Sequence, residues 1–581
     1  MKSTQTQLLK KAKRNSTLLF ILALFSTSLF AQDQRKINFV GGARSVLTNN
    51  ELTVQDSIPD TTSMKKSNGG YALIDLGVDI KPNNSTEILG MFRIKNDFGG
   101  FWGAGVQFDV RQLWVKGVIA NAIRYQVGDL NLKQTAFTLY NHHADRIDSL
   151  PAIFELQRNI VNYEKFYLND NSWRMQGANV DFGFSFAKYL KELNFTGFVT
   201  RLYATDFGSI PDRLMAGGRV ELVGTKFYQV GYNINSVFDV KGTIPDSNVF
   251  KNAVNTIDWK IKNDFGNQVI SLNGEIGNSN YSYSYDTLAP NYSDYFIHAF
   301  VGFELKRWHL QATIGYLNVG PEFRSIGAQS KDINYAAVPV NFNRYTNTQQ
   351  IRPIGLLDVI GNENIYNRTV TSKLMTESSI YNNVLPYGLA TYNRNGMYGK
   401  LFYKGKKDVS ASVEYYKLSE IRGQGTFSLK QFDLYKFYFN LPLHKLINSS
   451  KILALQFAAN IQQTKRNSDE AVENIDLKSS QASAGLRWEF AKNMELLGGY
   501  LMQENSGNEY APVRDSYSQI VYFNLNTIKT SQQVVAGGIR YNFSPSIYVC
   551  ALYQQSTFKD KLAKTAGFGM NQFGIIFNMT L

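Results

Sequence analysis

The chain is 581 residues long, with 34 Tyr, 39 Phe, 45 Gly and only 13 Pro, and a mean hydropathy of −0.26. Past an N-terminal apolar run it holds no uncharged apolar stretch of the roughly 18 residues that a membrane-crossing helix needs, which excludes a helical membrane protein. The formal charge of +14 includes no basic run suited to nucleic acid, and the single cysteine, Cys550, predicts neither an internal disulfide nor a lipidated residue after a leader.

In chain order, Lys2, Lys10, Lys11, Lys13 and Arg14 precede the apolar run Leu18 to Phe25, which gives way to the smaller residues Ser26 to Ala31. This pattern predicts a secretory signal peptide over 1–31, cut near Ala31 and Gln32 and recognised by the Sec export route. Its removal takes five basic residues and no acidic ones, lowering the charge from +14 to +9. Residues 32–70 are polar and predict a periplasmic lead.

From Tyr71 to Leu581 apolar residues recur at every second position. The first stripe is Ala72, Ile74, Leu76, Val78 and Ile80, closed by the turn Lys81-Pro82-Asn83-Asn84-Ser85. Others run through Trp102 to Val110, Val180 to Phe186, Leu193 to Val199, Ala216 to Leu222, Ala299 to Leu305 and Val409 to Tyr415. In Ile257, Trp259 and Ile261 the opposite face is Asp258, Lys260 and Lys262, a separation that fits period two and not a helical period. The clearest stripe is Ala482, Ala484, Leu486, Trp488 and Phe490 against Ser483, Gly485, Arg487 and Glu489. The chain ends on Phe573, Ile575, Phe577, Met579 and Leu581 in alternation.

Short connectors such as Lys306-Arg307, Lys492-Asn493 and Asn542 to Pro545 alternate with long polar inserts near 141–177, 237–254, 318–386, 463–478 and 504–516. Short turns on one side and long loops on the other predict an all-β fold: a closed antiparallel transmembrane β-barrel, 71–581, with short periplasmic turns, long extracellular loops and an even strand number of roughly 18 to 24. A soluble sandwich also alternates. The aromatics Tyr189, Trp308, Tyr316, Tyr415, Tyr416 and Tyr500 at strand ends favour membrane-interface girdles, and no propeller-length repeat is present.

With the apolar stripe turned to lipid, the other face becomes a lumen lined by Arg219, Glu221, Lys260, Lys262, Glu304, Lys400, Glu414, Arg487, Glu489 and Arg540. Two readings are open: the basic members bias passage toward anions, or opposed charges tie neighbouring strands together. The insert 318–386 carries Tyr335, Phe342, Arg344, Tyr345, Arg352, Tyr366 and Arg368 among Asn, Thr and Gln. It predicts either a constriction folded into the barrel, offering aromatic faces to sugar rings, or an extracellular cap.

The five histidines are His142, His143, His298, His309 and His444. His142, His143 and Asp145 read as solvated loop residues, and no nucleophile elbow, zinc helix or phosphate loop is visible, so neither an enzyme nor a cofactor or metal site is expected.

These features resemble the porin-type barrels of Gram-negative outer membranes, including alginate-export-like and carbohydrate-permeating members. The stretch Tyr125-Gln126-Val127-Gly128-Asp129-Leu130, with Trp173-Arg174-Met175-Gln176-Gly177 beyond an insert, is similar to a Gly-Asp pattern of large surface barrels of type IX protein secretion. The resemblance implies passive passage of polar, anionic or saccharide solutes across the outer membrane. The alternative is a non-transporting barrel that serves as partner in a secretion, assembly or adhesion complex. Implied partners are outer-membrane lipid and lipopolysaccharide, the barrel-assembly machinery, small polar solutes, and a second copy of the chain or a secretion complex. A lumen plugged by loops would favour the non-transporting reading, and an outer-membrane hydrolase would need Ser or Asp converging with His at the rim.

Overall fold

The computed structural model describes residues 37–54, 66–99, 105–142, 150–161, 163–164, 171–208, 211–225, 227–244, 249–284, 291–329, 383–423, 425–517, 519–562 and 567–581. Among them are 22 strands in one sheet. They begin with β1 (Ile37–Val54), β2 (Lys66–Asn83), β3 (Thr86–Asp97), β4 (Val106–Ile119) and β5 (Ile123–Leu132). Helix α1 (Ala152–Val161) precedes β6 (Trp173–Ser185), β7 (Leu190–Tyr203), β8 (Arg213–Gly224), β9 (Tyr228–Asp239) and β10 (Val249–Asp264). Then come β11 (Gln268–Ser284), β12 (Asn291–Leu305), β13 (Leu310–Val319), β14 (Arg394–Lys404), β15 (Ser410–Ser419) and β16 (Gln431–Leu441). The last are β17 (Leu453–Arg466), β18 (Ile475–Ala491), β19 (Met494–Arg514), β20 (Ile520–Ser544), β21 (Ile547–Asp560) and β22 (Gly567–Thr580).

Each strand pairs antiparallel with its chain neighbour, and β1 pairs with both β2 and β22, so the sheet closes and no strand edge is left open. At the seam Val46 faces Ile576, and the Leu581 amide donates to the Gly41 carbonyl at 2.9 Å.

The turns after even-numbered strands are short, apart from the 442–452 connection after β16, which holds a single helical turn at Leu443–Leu446. Lys492 and Asn493 join β18 to β19, and Asn493 takes φ 63°, a left-handed conformation that asparagine accepts readily. The turn-side ion pairs are exposed. Lys445 donates to Asp408 and holds its carboxyl below the usual range. The connections after odd-numbered strands carry the long inserts.

Period two decides which side chains meet lipid. Phe108 is 64% exposed and Ile314 56%, and Ile74, Phe92, Leu272, Phe303, Val413, Phe437 and Phe573 are likewise exposed along the outer wall. Water would not tolerate an apolar surface of this extent, whereas hydrocarbon does. This even-numbered, sided, apolar-coated closure has the architecture of a transmembrane β-barrel.

Three expectations are corrected. The lead over 32–70 is not outside the barrel: β1 and the start of β2 lie within it, and β1 supplies the closing seam. Its outer face carries Ile37, Phe39 and Leu47, but Gly41, Ala43 and Ser45 between them interrupt the apolar stripe. The polar insert over 504–516 is strand almost throughout, because β19 and β20 continue beyond the roughly 9–11 residues needed to cross lipid, where no face need be apolar. Tyr416 does not belong to an outer girdle: adjacent strand residues point to opposite sides, so Tyr415 faces out and stacks on Tyr435, while Tyr416 is buried inside.

The hydrophobic core sits within the lumen. Residues 133–142 and both described ends of the long insert, 320–329 and 383–393, pack against inward-facing wall residues. Phe137 stacks on Phe296 with centroids 3.8 Å apart, and Phe323 meets Phe296 edge-on at 5.2 Å. Val384, Tyr387, Leu418 and Phe432 join the same cluster. A second cluster gathers Leu130, Leu139, Trp173, Met215, Phe250 and Ile326. A third seats α1 against β19 to β22 through Ile153, Phe154, Leu497, Cys550 and Ile576.

Candidate functional site

The register of the wall builds the site. Across β14 to β20, Lys400 faces Glu414, Glu414 faces Lys436, Lys436 faces Asn460, Asn460 faces Gln481, Gln481 faces Gln503 and Gln503 faces Gln532. One inward position per strand thus forms a polar row around part of the lumen. The adjacent inward row runs Tyr398, Tyr416, Leu434, Gln462, Ser479 and Asn505.

Together with the inserts these rows enclose a cavity of about 260 Å³, lined on the wall by Lys400, Glu414, Tyr416, Lys436, Asn460, Gln462, Ser479 and Gln481. The opposite side is Tyr140 and His142 from the β5–β6 insert and Tyr387, Gly388 and Leu389 from the β13–β14 insert. Lys400 pairs with Glu414 at 3.3 Å, Glu414 accepts from the Tyr416 hydroxyl at 3.0 Å, and Tyr398 stacks on Tyr416. His142 stacks on Tyr140, centroids 6.4 Å apart. Aromatic faces beside amides, a carboxylate and two ammonium groups offer stacking surfaces and donors and acceptors at short range.

Several bonds hold the inserts in place. Asn252 on β10 accepts from the Ile326 amide at 3.0 Å and donates to the Arg324 carbonyl at 2.9 Å. Ser325 donates to the Phe137 carbonyl at 2.7 Å, tying one insert to the other, and Gln329 donates to the Ala390 carbonyl at 2.7 Å. Arg394, fully buried, donates to the carbonyls of Asn383 at 2.7 Å, Val384 at 2.9 Å and Asn393 at 3.0 Å while lying 3.9 Å over the Phe432 ring.

Of the residues marked on the lumen face, Arg219 is clamped by Glu221 at 2.8 Å and Asp258 at 2.5 Å and donates to Asn233 at 2.8 Å. Arg487 and Arg540 both donate to Glu495, at 2.8 and 2.5 Å. Lys400 and Glu414 line the cavity. Lys260 and Glu304 stand on β10 and β12 toward the short-turn end, and Lys262 accompanies them. Glu489 accepts from the amides of Ile452 at 3.3 Å and Asn493 at 3.2 Å and so caps turns. Tyr335, Arg344, Tyr345, Arg352 and Arg368 lie outside the described residues, as do His143 and Asp145.

His142, read from sequence as a solvated loop residue, lies instead inside the barrel against the cavity. Tyr140, Tyr387, Lys436, Asn460, Gln462, Ser479 and Gln481 carried no mark in the sequence. The wall members could have been found from alternation plus strand register; the insert members have no periodic signal. The Gly-Asp pattern has a structural account. Gly128, at φ 105°, has no room for a Cβ against the Leu113 carbonyl, and Asp129 takes the Leu113 amide at 2.7 Å and Arg174 at 2.9 Å, ending the β4–β5 pairing.

No protein-family model matches the sequence, and no curated protein matches it. Solved structures similar to the chain include a BenF-like porin from Pseudomonas fluorescens Pf-5, 9% identical, covering 93% of this chain and 99% of that one, with a TM-score of 0.29. Another is Wzi, an Escherichia coli outer-membrane protein of group 1 capsule assembly described as a carbohydrate-binding β-barrel: 11% identity, 76% and 83% coverage, TM-score 0.32. Pseudomonas aeruginosa OpdQ gives 10%, 94% and 98%, and 0.31. At these values the likeness carries no argument, and the barrel rests on its own closed hydrogen-bond ladder.

Proposed function

We propose that this chain is a porin-like channel of the Gram-negative outer membrane, admitting polar solutes by passive diffusion, with saccharides as the class that dwells in it. The observation that carries this reading is the cavity of about 260 Å³ inside the wall, where Tyr140, Tyr387 and Tyr416 stand with Asn460, Gln462, Gln481 and Glu414. Sugar rings present apolar faces and rims of hydroxyls, so a site for them combines aromatic surface with planar amide and carboxylate partners. The apolar exterior supports a wall set in lipid, and the leader over 1–31 would deliver the chain through Sec export to the barrel-assembly machinery. Lipopolysaccharide would then meet the basic residues of the long-loop side.

The second reading, a non-transporting barrel serving a secretion, assembly or adhesion complex, is favoured by one observation: Phe137, Phe323 and Val384 fill part of the lumen. Single-channel recording of the refolded barrel in a planar bilayer separates the two. A channel gives steady ohmic openings that linear maltooligosaccharides interrupt; a correctly folded barrel that stays electrically silent removes the channel reading and leaves the partner reading standing.

A further inference from the structure

On the far side of the lumen from the cavity, three guanidinium groups converge. Arg44 on β1, Arg93 on β3 and Arg111 on β4 all point inward, and their guanidinium carbons lie 5.3, 5.5 and 5.1 Å from the centre of the Tyr163 ring. The wall supplies one carboxylate here, fully buried Asp75 on β2, which Arg93 grips at 2.7 and 2.6 Å and to which the Tyr163 hydroxyl donates at 2.5 Å. Arg111 stands 4.0 Å from it.

The other carboxylate does not belong to the wall. Glu164, just beyond α1, accepts from Arg44 at 2.9 Å and from the Tyr71 hydroxyl at 2.5 Å. Its backbone carbonyl accepts from Arg111 at 3.1 Å, and the Tyr163 carbonyl accepts from Arg111 as well. Asp75 keeps Arg93 engaged, with the Glu164 carbonyl at 3.4 Å as a further acceptor, and Arg44 donates to Asn578 on β22 at 3.1 and 3.0 Å but takes a carboxylate from the inserted segment, as Arg111 takes its carbonyls. With the side chains of Arg44 and Glu164 only 12% and 14% exposed, removing Glu164 with nothing in exchange would strand buried positive charge, which is costly. An anion arriving as Glu164 leaves avoids that cost.

We propose that this socket is a carboxylate-binding site whose occupant in this structure is the chain's own Glu164, and that a small soluble dicarboxylate exchanges with it and lifts Tyr163 and Glu164 from the wall. Planar, forked guanidinium donors match carboxylate oxygens in pairs, and Arg44 and Arg111, on separate strands, offer two places at which the two ends of a dicarboxylate can be held. A tethered occupant competes at high effective concentration, so free ligand binds weakly until the tether loses its carboxylate. The socket shares no residue with the saccharide cavity, and the proposal holds whether or not sugars bind.

Isothermal titration of the refolded full-length barrel with succinate tests it. Glu164→Gln, which keeps the fold's contacts and removes the competing charge, should bind succinate about tenfold more tightly than the unaltered protein, and Arg44→Gln introduced into the Glu164→Gln background should weaken that binding at least about tenfold. Cys550, fully buried against Ile153 and Phe154, reports the displacement. Its labelling by a small thiol reagent should accelerate about tenfold with succinate relative to sodium chloride at matched ionic strength. Succinate binding no tighter in Glu164→Gln, or absent from both, overturns the site. Equal acceleration by chloride, or none with succinate, overturns the exchange. Heat-modifiable migration of each variant confirms that the barrel has formed.

Discussion

Tyr398 and Tyr416 stack on neighbouring strands with ring centroids 5.1 Å apart and planes 23° from parallel, and the Lys400 ammonium lies 5.6 and 5.5 Å from their centres. The Lys400 pair with Glu414 and the Tyr416 hydrogen bond to the same carboxylate make one unit of the stack and the ion pair, so the aromatic face toward the cavity is held in a single orientation.

That rigidity gives the first expectation. Tyr416→Ala removes a stacking face worth roughly 0.5–1.5 kcal/mol beyond its area, so maltooligosaccharide dwell times should fall about two- to tenfold while open-channel conductance stays the same or rises. Current-block analysis in a planar bilayer reads both. Unchanged dwell times would remove Tyr416 from the binding surface.

Glu495 balances Arg487 and Arg540 and also accepts from Asn542 at 3.0 Å. Glu495→Gln leaves two guanidiniums without their shared carboxylate. The reversal potential under a salt gradient should shift toward anion preference, and stability should drop by roughly 1–3 kcal/mol, discounted because Arg487 is partly exposed. Urea titration of the barrel in liposomes gives the second quantity.

Gly499 makes room for α1. A Cβ there would stand 2.5 Å from both Ile153 and Phe154, and one at Gly485 would stand 2.7 Å from Pro151. Gly499→Leu should therefore unseat α1 while leaving the ladder intact, raising conductance and the rate of Cys550 labelling together. Conductance that does not change would mean the helix does not obstruct passage.

Arg394 anchors the returning end of the long insert through three backbone carbonyls. Arg394→Lys keeps the charge but not the fork, and should cost roughly 3 kcal/mol, from several charge-assisted hydrogen bonds lost in a fully buried position. Deleting 320–384 removes Phe323, Ile326 and Val384 from the lumen, and the same recordings should show a larger conductance from a barrel that still folds.

Alternation in the sequence determined the wall of this protein. A strand between lipid and lumen must change solvent at every residue, so Ile257, Trp259 and Ile261 against Asp258, Lys260 and Lys262 could be read without coordinates. The same rule gives the sided turns and an even strand number within the expected span. It falters where small residues interrupt the apolar stripe, as Gly41, Ala43 and Ser45 do in β1, and where β19 and β20 rise past the membrane and neither face is required to be apolar.

What fills the barrel was decided by tertiary structure. The insert residues Phe137, His142, Phe323 and Tyr387 follow no period, because a segment that packs inside a lumen meets the wall irregularly and leaves no repeat to read. The socket of Arg44, Asp75, Arg93 and Arg111 is equally silent in the sequence: its members stand on four consecutive strands whose register sets them side by side, and only the return of the chain into the lumen beyond α1 brings Glu164 to them.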